Sequence, residues 1–239
     1  MKVTIVRSDE RGKADYGWLK ANYSYSFAQY YDPNRIHFGP LRVLNDDIIA
    51  EGMGFGEHPH DNMEIITIPL EGSLKHKDSI SNEWIPLHTD EVQVMSAGSG
   101  IRHSEMNNST ANALNLFQIW VLPNQQNLIP RYDQKWFDPT ERKAKLQVLV
   151  SDHKNKVENS LTVHQNLQIS RIELDASKSF SYEMKELDRG LFLMVINGSV
   201  AIGDINLQRR DAVEITDTQL VEIETKTDVD LLFIEVPLV

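Results

Sequence analysis

The side chains best suited to chemistry are the two histidines of His58-Pro59-His60 and a second pair, His103 and Glu105. Imidazole nitrogens and carboxylate oxygens bind divalent iron, manganese, nickel, copper or zinc. One residue separates the members of each pair, and residues two apart on an extended strand point to the same face. Two such pairs on neighbouring strands would direct three imidazoles and one carboxylate to one point. The spacing therefore predicts a mononuclear metal site with open coordination positions.

Glycines precede both pairs. They stand at positions 52, 54 and 56, just before His58, and at 98 and 100, just before His103. Glycine permits tight bends and the close approach of two backbones. Pro59 has no N–H for a ladder hydrogen bond, so it fits a strand end or a bulge. We expect both pairs near the mouth of a β-barrel. With eight histidines in the chain, a chance HxH pair on the surface is the alternative for that pair taken alone.

The elements that must position these ligands are predicted to be strands. Short apolar, β-branched runs are separated by Gly, Pro, Asn and Asp, which is typical of an all-β sandwich or barrel. The runs cover residues 41–44, 64–70, 92–95, 114–122, 146–150, 167–174, 191–196, 221–224 and 231–236. The segment 130–145, with two prolines and several charges, is predicted to connect two halves.

A weak internal repeat favours two related β-domains. The sequence LEGSL at 70–74 is echoed by INGSV at 196–200, and DEV at 90–92 by DAV at 211–213. Chance is the alternative, because Gly-Ser turns are common. If the repeat is real, counting back from its glycine places Met184 and Glu186 where the first copy has its HxH pair. We therefore predict an N-terminal domain over 1–135 that carries the metal site and a C-terminal domain over 136–239 that lacks ligands.

Composition narrows the class of protein. The 239 residues include no cysteine, which excludes disulfides and thiolate metal sites. A formal net charge of -11 argues against direct nucleic-acid binding. The first residues form no apolar stretch like that of a signal peptide, and no run approaches the roughly 20 apolar residues of a membrane helix. We expect a cytoplasmic protein without membrane contact.

Several longer motifs resemble the pirin family of bicupins, which includes bacterial quercetin 2,3-dioxygenase-like proteins. The resemblance is strong over about the first 137 residues and weaker beyond. Its motifs are RG at 11–12, GWL at 17–19, SFA at 26–28, YDP at 31–33, LRVLNDD at 41–47, GFGEHPH at 54–60, MEI at 63–65, LEG at 70–72, HKDS at 76–79 and, most specific, MSAGSGIRHSE at 95–105. One departure is Asp90, where the family usually has glycine; aspartate tolerates left-handed backbone geometry, so we expect the turn to survive.

The resemblance implies two tandem jelly-roll (cupin) β-barrels and one divalent metal ion held by His58, His60, His103 and Glu105. Iron is the first expectation, with zinc, manganese, nickel, copper or cobalt as alternatives. It also implies opening of a flavonol ring with O2. Glu105 is the only carboxylate among the four candidate ligands, so we assign it as the catalytic base. A non-enzymatic, redox-sensitive regulator with a protein partner is the competing hypothesis, and a metal-bound protein whose substrate is not a flavonol is a third.

Neighbouring residues receive weaker assignments. Glu64 and His76 are candidates for the surroundings of the metal, although a purely structural role is equally open for each. Strand parity directs Arg102 away from the metal. Trp120 is assigned to the core, as are Phe117 and Met95.

Overall fold

Nearly all regular structure in this chain is β-strand. A computed structural model describes residues 1–238, which contain twenty-two strands and one short 3-10 helix at Pro139–Arg142. The all-β prediction is therefore confirmed. Among the described residues, no helix has the length and apolarity needed to cross a bilayer.

The first domain consists of a large and a small sheet. The large sheet contains, in spatial order, β12 (Arg131–Trp136), β9 (Glu91–Ser96), β6 (Glu64–Glu71), β11 (Leu114–Val121), β4 (Leu41–Ile49), β3 (Leu19–Tyr23) and β2 (Gly12–Asp15). The small sheet contains β5 (Gly54–His60), β10 (Ile101–Asn107), β7 (Ser73–Asp78) and β8 (Ile85–His88).

The second domain repeats this plan. Its large sheet contains, in spatial order, β1 (Lys2–Val6), β20 (Ala212–Thr216), β17 (Arg189–Asn197), β22 (Val229–Pro237), β15 (Gln168–Leu174), β13 (Gln147–Asp152) and β14 (Leu161–Val163). The small sheet contains β16 (Ser179–Glu183), β21 (Leu220–Thr225), β18 (Ser199–Ile202) and β19 (Ile205–Gln208).

Each domain is a jelly-roll sandwich of the cupin type, in which the sheets face each other without closing into a continuous barrel. Apolar side chains of the large and small sheets meet inside each domain, as Leu116 of β11 and Leu74 of β7 do in the first. The opposite faces of the two large sheets form a shared core, in which Phe117 clusters with Phe192 and Leu232. The central strands of each large sheet are thus buried on both faces, and the apolar packing between the sheets holds the two domains together.

The sequence repeat corresponds to equivalent hairpins. Gly72 joins β6 to β7 with φ 90°, and Gly198 joins β17 to β18 with φ 84°. The next turn has Asp90 at φ 67° in the first domain and Arg210 at φ 69° in the second. Asp90 therefore adopts the left-handed geometry expected of a glycine substitute. The turns align Asp90 with Arg210, one residue before the Asp211 suggested by sequence.

Two segments do not follow a simple division of the chain into an N-terminal domain, a linker and a C-terminal domain. The segment 130–145 contains β12, which pairs with β9 at the edge of the first domain's large sheet. The strand β1 pairs with β20 of the second domain. Beyond β12, Arg142 bonds Asp90 of the first domain and Glu173 of the second, each at 2.7 Å, and joins the domains electrostatically.

Candidate metal centre

Two adjacent strands of the first domain's small sheet carry the predicted ligands. The strands β5 and β10 are antiparallel, with His58 directly opposite His103 and His60 opposite Ile101. His58 and His60 share one face of β5 because the period of a strand is two. The strand β5 lies at the edge of its sheet, which is where Pro59 costs no ladder bond.

A bulge and a glycine shape the second half of this strand pair. The register shifts between His103 and Glu105, where Glu105 lies opposite Phe55. Gly54 packs against the backbone of Glu105 and Met106 so closely that a Cβ at position 54 would overlap the Glu105 carbonyl oxygen. The glycine-rich approach to the HxH pair therefore permits the close backbone contact that the sequence predicted.

Three imidazoles come together at the open end of the sandwich. The ligand atoms of His58, His60 and His103 all lie within 4.8 Å of one another, and the Nε2 atoms of His58 and His103 are 3.0 Å apart. This separation is that of a hydrogen bond between two imidazole nitrogens, and it also allows both nitrogens to reach one metal ion at about 2.1 Å. The Nδ1 of His58 lies 2.8 Å from the Gly56 carbonyl oxygen, to which it can donate, leaving the Nε2 lone pair for a metal.

Glu105 belongs to an overlapping, fully buried group. Its ligand oxygen lies within 4.8 Å of ligand nitrogens of both His103 and His76. The Gln118 amide donates to its Oε2 at 2.6 Å, and the Thr67 hydroxyl lies 3.4 Å from its Oε1. The carboxylate is therefore held from the large sheet while it faces His103.

Burial keeps two of the three imidazoles neutral. Desolvation, and then the neighbouring His58, lowers the pKa of His60 to about 4. Desolvation with the surrounding histidines lowers the pKa of His103 to about 2. Neutral imidazole is the form that binds metal. The donor set therefore fits a divalent cation at neutral pH.

A cavity of about 220 Å³ opens beside the imidazoles. Phe27, Phe55 and Trp120 contribute aromatic walls, and Asn45 and Asp47 contribute polar atoms. Burial, followed by the charges of Asp46 and Glu105, raises the pKa of Asp47 well above its usual range. A flat aromatic ligand with a few polar groups matches this lining.

Trp120 differs from its sequence assignment. It lines the cavity and meets the His60 ring edge to face, with ring centroids 4.7 Å apart, whereas Phe117 and Met95 lie in the core as predicted. Sequence reasoning also missed Gln118, although it shares a face of β11 with Trp120. The sequence did contain one signal of a polar-lined cavity: two polar residues spaced by two, Asn45 and Asp47, lie within a largely apolar strand.

The structure assigns a different role to each of the three remaining candidates, Arg102, Glu64 and His76. Arg102 points away from the imidazoles and bonds Glu57 at 2.9 Å, as parity predicted. Glu64 is buried and accepts a hydrogen bond from Ser96 at 2.7 Å, which is the structural role left open for it. His76 is fully buried, with its Nε2 3.1 Å from Asp78 and its Nδ1 4.0 Å from Glu105. Of these residues, His76 is the one next to the candidate ligands.

Comparison with known proteins places this architecture in a family. The pirin family model matches residues 5–121, and the model described as the quercetinase C-terminal cupin domain matches residues 148–236. The chain belongs to the pirin family of two-domain cupins, as the sequence motifs predicted.

Two relatives and one solved structure cover almost the whole chain. Quercetin 2,3-dioxygenase of Escherichia coli strain K12 is 40% identical over 98% of this chain and 99% of its own length. A pirin-like protein of Caulobacter vibrioides is 37% identical over 95% of this chain and 96% of its own. The crystal structure of the bacterial pirin YhhW from Escherichia coli in complex with nickel(II) is 37% identical, covers 100% of both chains and superposes with a TM-score of 0.93.

Proposed function

We propose that this protein is a metal-dependent dioxygenase that opens the ring of a flavonol of the quercetin class with O2. We further propose that His58, His60, His103 and Glu105 hold one divalent metal ion. The observation that carries the proposal is the cluster of three imidazoles beside an aromatic-walled cavity. Full-length similarity to a protein named quercetin 2,3-dioxygenase supports the substrate class.

The site's residues suit the binding of a flat, hydroxylated aromatic molecule. Phe27, Phe55 and Trp120 provide ring faces and edges for stacking. Asn45 and Asp47 provide polar atoms for hydroxyl or carbonyl groups. A bound divalent metal supplies Lewis acidity, which lowers the pKa of a hydroxyl group that ligates it.

Glu105 is our candidate for the group that accepts the proton of the flavonol hydroxyl. A general base must lie within hydrogen-bond reach of the proton that it removes. The carboxylate faces His103, and Gln118 holds its Oε2 at 2.6 Å, which limits its rotation. With a metal bound, Glu105 would be one of the four residues that hold it and would also be the residue that accepts this proton, and the three imidazoles would hold the ion.

Iron is the metal that we propose, and a cytoplasmic location is part of the same proposal. Three neutral nitrogens and one carboxylate suit iron, but they also accept manganese, nickel, copper, cobalt or zinc. The nickel(II) complex of the Escherichia coli pirin is consistent with such a broad donor set. Metal analysis of protein purified from its own source, without added metal, tests the choice of iron.

Oxygen uptake with quercetin tests the proposed activity. The protein should be stripped of metal and reloaded separately with iron, manganese, nickel, copper or cobalt. We expect O2 consumption that depends on both quercetin and metal and falls to background in Glu105→Gln. Absence of quercetin-dependent uptake with every one of these metals would refute the proposed reaction. Fully loaded but inactive protein would leave the interaction-protein hypothesis from the family resemblance in its place.

A further inference from the structure

A second cavity, of about 240 Å³, lies at the junction of the two domains. Arg11, Asn22 and Asp46 contribute to its wall from the first domain, and Arg209 and Arg210 contribute from the turn before β20 in the second. Strands β3 and β4 separate this cavity from the candidate metal site. Asn22 and Asp46 face the junction, whereas their neighbours on the same strands line the metal cavity. The two cavities therefore have different walls and different chemistry.

The junction differs from the rest of the molecule in how its buried arginines are neutralised. Five arginines are buried among the described residues. Arg171 forms two bonds to Asp230, at 2.8 and 2.5 Å, and Arg189 pairs with Glu235. Arg142 pairs with two carboxylates, as described above. Each of these three arginines therefore has at least one carboxylate of its own.

Arg11 and Arg210, the other two buried arginines, have between them a single ion pair, that of Arg210 with Asp46. Other carboxylates act on them only at longer range, Asp211 on Arg11 and Asp230 and Glu71 on Arg210. The Arg210 Nε lies 3.3 Å from Asp46, and its Nη2 donates to the Asn115 side-chain oxygen at 2.8 Å. Arg11 donates to the backbone carbonyl of Arg210 and has no ion-pair partner among residues 1–238. Within the same residues, the Nε of Arg11 and the Nη1 of Arg210 are buried without an acceptor.

The consequence is an excess of positive charge in the lining of this cavity. Arg11, Arg209 and Arg210 line the cavity against one lining carboxylate, Asp46, in a chain whose net charge is -11. Burial and then the opposing effects of Asp46 and Arg210 leave the pKa of Arg11 lowered to about 10, so it stays charged at neutral pH. A buried cation without a matched anion is destabilising, and an anion in this cavity would offset that cost.

We propose that this junction cavity binds a small oxyanion, carried as a carboxylate or a phosphate group, between Arg11, Arg209 and Arg210. Guanidinium groups present paired N–H donors that match the oxygens of either group. The cavity volume of about 240 Å³ accommodates a small anion or the anionic end of a metabolite. Because the arginines come from both domains, the bound anion would bridge them.

Calorimetric titration of the metal-loaded, full-length protein at low ionic strength tests this site. Inorganic phosphate and succinate are the two probes, and whichever binds identifies the phosphate or carboxylate source. We expect saturable binding of at least one probe with one anion per chain. Arg209→Gln removes an exposed lining cation and should weaken binding about tenfold or more. Arg11→Lys keeps the charge but loses the forked donors, and should also weaken binding.

Lys145→Gln is the matched control, because Lys145 is 76% exposed and does not line this cavity. It should bind the probe as the unmodified protein does. Thermal unfolding of each variant verifies that it is folded. No saturable binding of either probe overturns the proposal, as does binding that Arg209→Gln and Arg11→Lys both leave unchanged. Binding that is lost in His103→Ala but retained in Arg209→Gln would place the anion at the metal and would equally overturn it.

Discussion

The two domains build different interiors on the same strand framework. Leu74 of β7 pairs with Asn107 of β10, and the equivalent Val200 of β18 pairs with Thr225 of β21. Counting along the paired strands from these positions gives the correspondence across the two domains. His103 matches Val221, Glu105 matches Ile223, His58 matches Tyr182 and His60 matches Met184. The four candidate ligand positions of the first domain thus hold buried, mainly apolar side chains in the second.

This correspondence corrects the sequence count that placed Met184 and Glu186 at the HxH positions. Three residues, 61–63, separate His60 from Glu64, but five residues, 185–189, separate Met184 from Gly190, which is the equivalent of Glu64. The two additional residues shift the alignment by two positions. Register therefore identifies the equivalents of His58 and His60 as Tyr182 and Met184.

The comparison shows how one fold divides stability from chemistry. In the second domain, Val221 and Ile223 are fully buried and contribute apolar packing. In the first, the same space holds imidazoles and a carboxylate, which gain little from burial unless they are bonded or bind a cation. Gln118 and Thr67, which lie near Glu105, match Phe233 and Leu193 in the second domain. The polar character of the site thus extends to the residues that support it.

The largest expected effect comes from truncating one matched pair of positions. His103→Ala should reduce bound metal from one per chain to near zero, because it removes the central imidazole. Val221→Ala, at the equivalent position, should keep the metal but lower the free energy of unfolding by roughly 2 kcal/mol. Elemental analysis and denaturant unfolding of both variants make the comparison. Full metal occupancy in His103→Ala would contradict the ligand assignment.

A smaller effect is expected from the residue that holds Glu105. Gln118→Leu preserves approximate size but removes the donor to Oε2, and should weaken metal affinity about 10- to 100-fold. Phe233→Leu, at the equivalent position in the second domain, should leave metal affinity unchanged. Competition with a chelator measures both. Equal affinities for the two variants would show that the Gln118 contact does not tune the site.

Acid titration separates a buried histidine site from an exposed one. Free histidine has a pKa of about 6.5, and protonation competes with metal binding. Because the pKa of His60 is lowered to about 4 and that of His103 to about 2, we expect metal to remain bound at pH 5.5. Metal content after dialysis at a series of pH values tests this. Half-loss at pH 6.5 or above would be incompatible with these shifts.

The lowered pKa of His60, which favours metal binding in mild acid, also affects the stability of the metal-free protein. Between about pH 6.5 and about 4, an unfolded histidine binds protons that His60 in the folded state does not. The contribution of His60 to the free energy of unfolding should therefore fall as the pH decreases through this range, whereas the raised pKa of Asp47 acts in the opposite direction. Denaturant unfolding of the metal-free protein and of its His60→Gln variant isolates this contribution. A difference between the two that is constant, or that grows in favour of the unmodified protein as the pH falls, would contradict it.

The smallest effect concerns the second domain alone. The Tyr182 hydroxyl donates to Glu235 at 2.8 Å, and Glu235 also pairs with Arg189. Tyr182→Phe should lower the free energy of unfolding by about 1–2 kcal/mol without changing metal content. A loss of metal in this variant would show that the two interiors are coupled, contrary to the division of roles argued above.

The sequence was most informative where chemistry and strand period coincide. His58 and His60 lie on one face because residues two apart on a strand share a face, a property independent of the rest of the fold. His103 joins them because β10 pairs with β5 in the register that places it opposite His58. The same rule correctly directed Arg102 away from the imidazoles. Glu105 is more complex, because β5 has one extra residue opposite the stretch from His103 to Glu105, while the regular pairing of β10 with β7 places Glu105 opposite His76. A bulge of this kind depends on the partner strand, which local sequence does not specify.

Other features depend on long-range pairing and were not predicted from the sequence. Trp120 looked like a core residue because apolar residues that line a cavity and those that fill a core have the same composition. The strand β12 was missed because its charged residues resemble a linker until β9 is beside it. The sequence did not indicate the arginine cavity, because Arg11 and Arg210 stand near opposite ends of the chain and come together only in the folded protein.

The pairing of β1 with β20 has a consequence for biosynthesis. Residues 2–6 leave the ribosome long before residues 212–216, with which they must pair. Until then β1 has no sheet partner, and the second domain's large sheet acquires its last strand only after nearly the whole chain is made. Such distant pairing slows folding and prolongs the exposure of unpaired strand edges. A fragment that begins at residue 136 would keep this exposed edge on β20, where a second chain could add in its place.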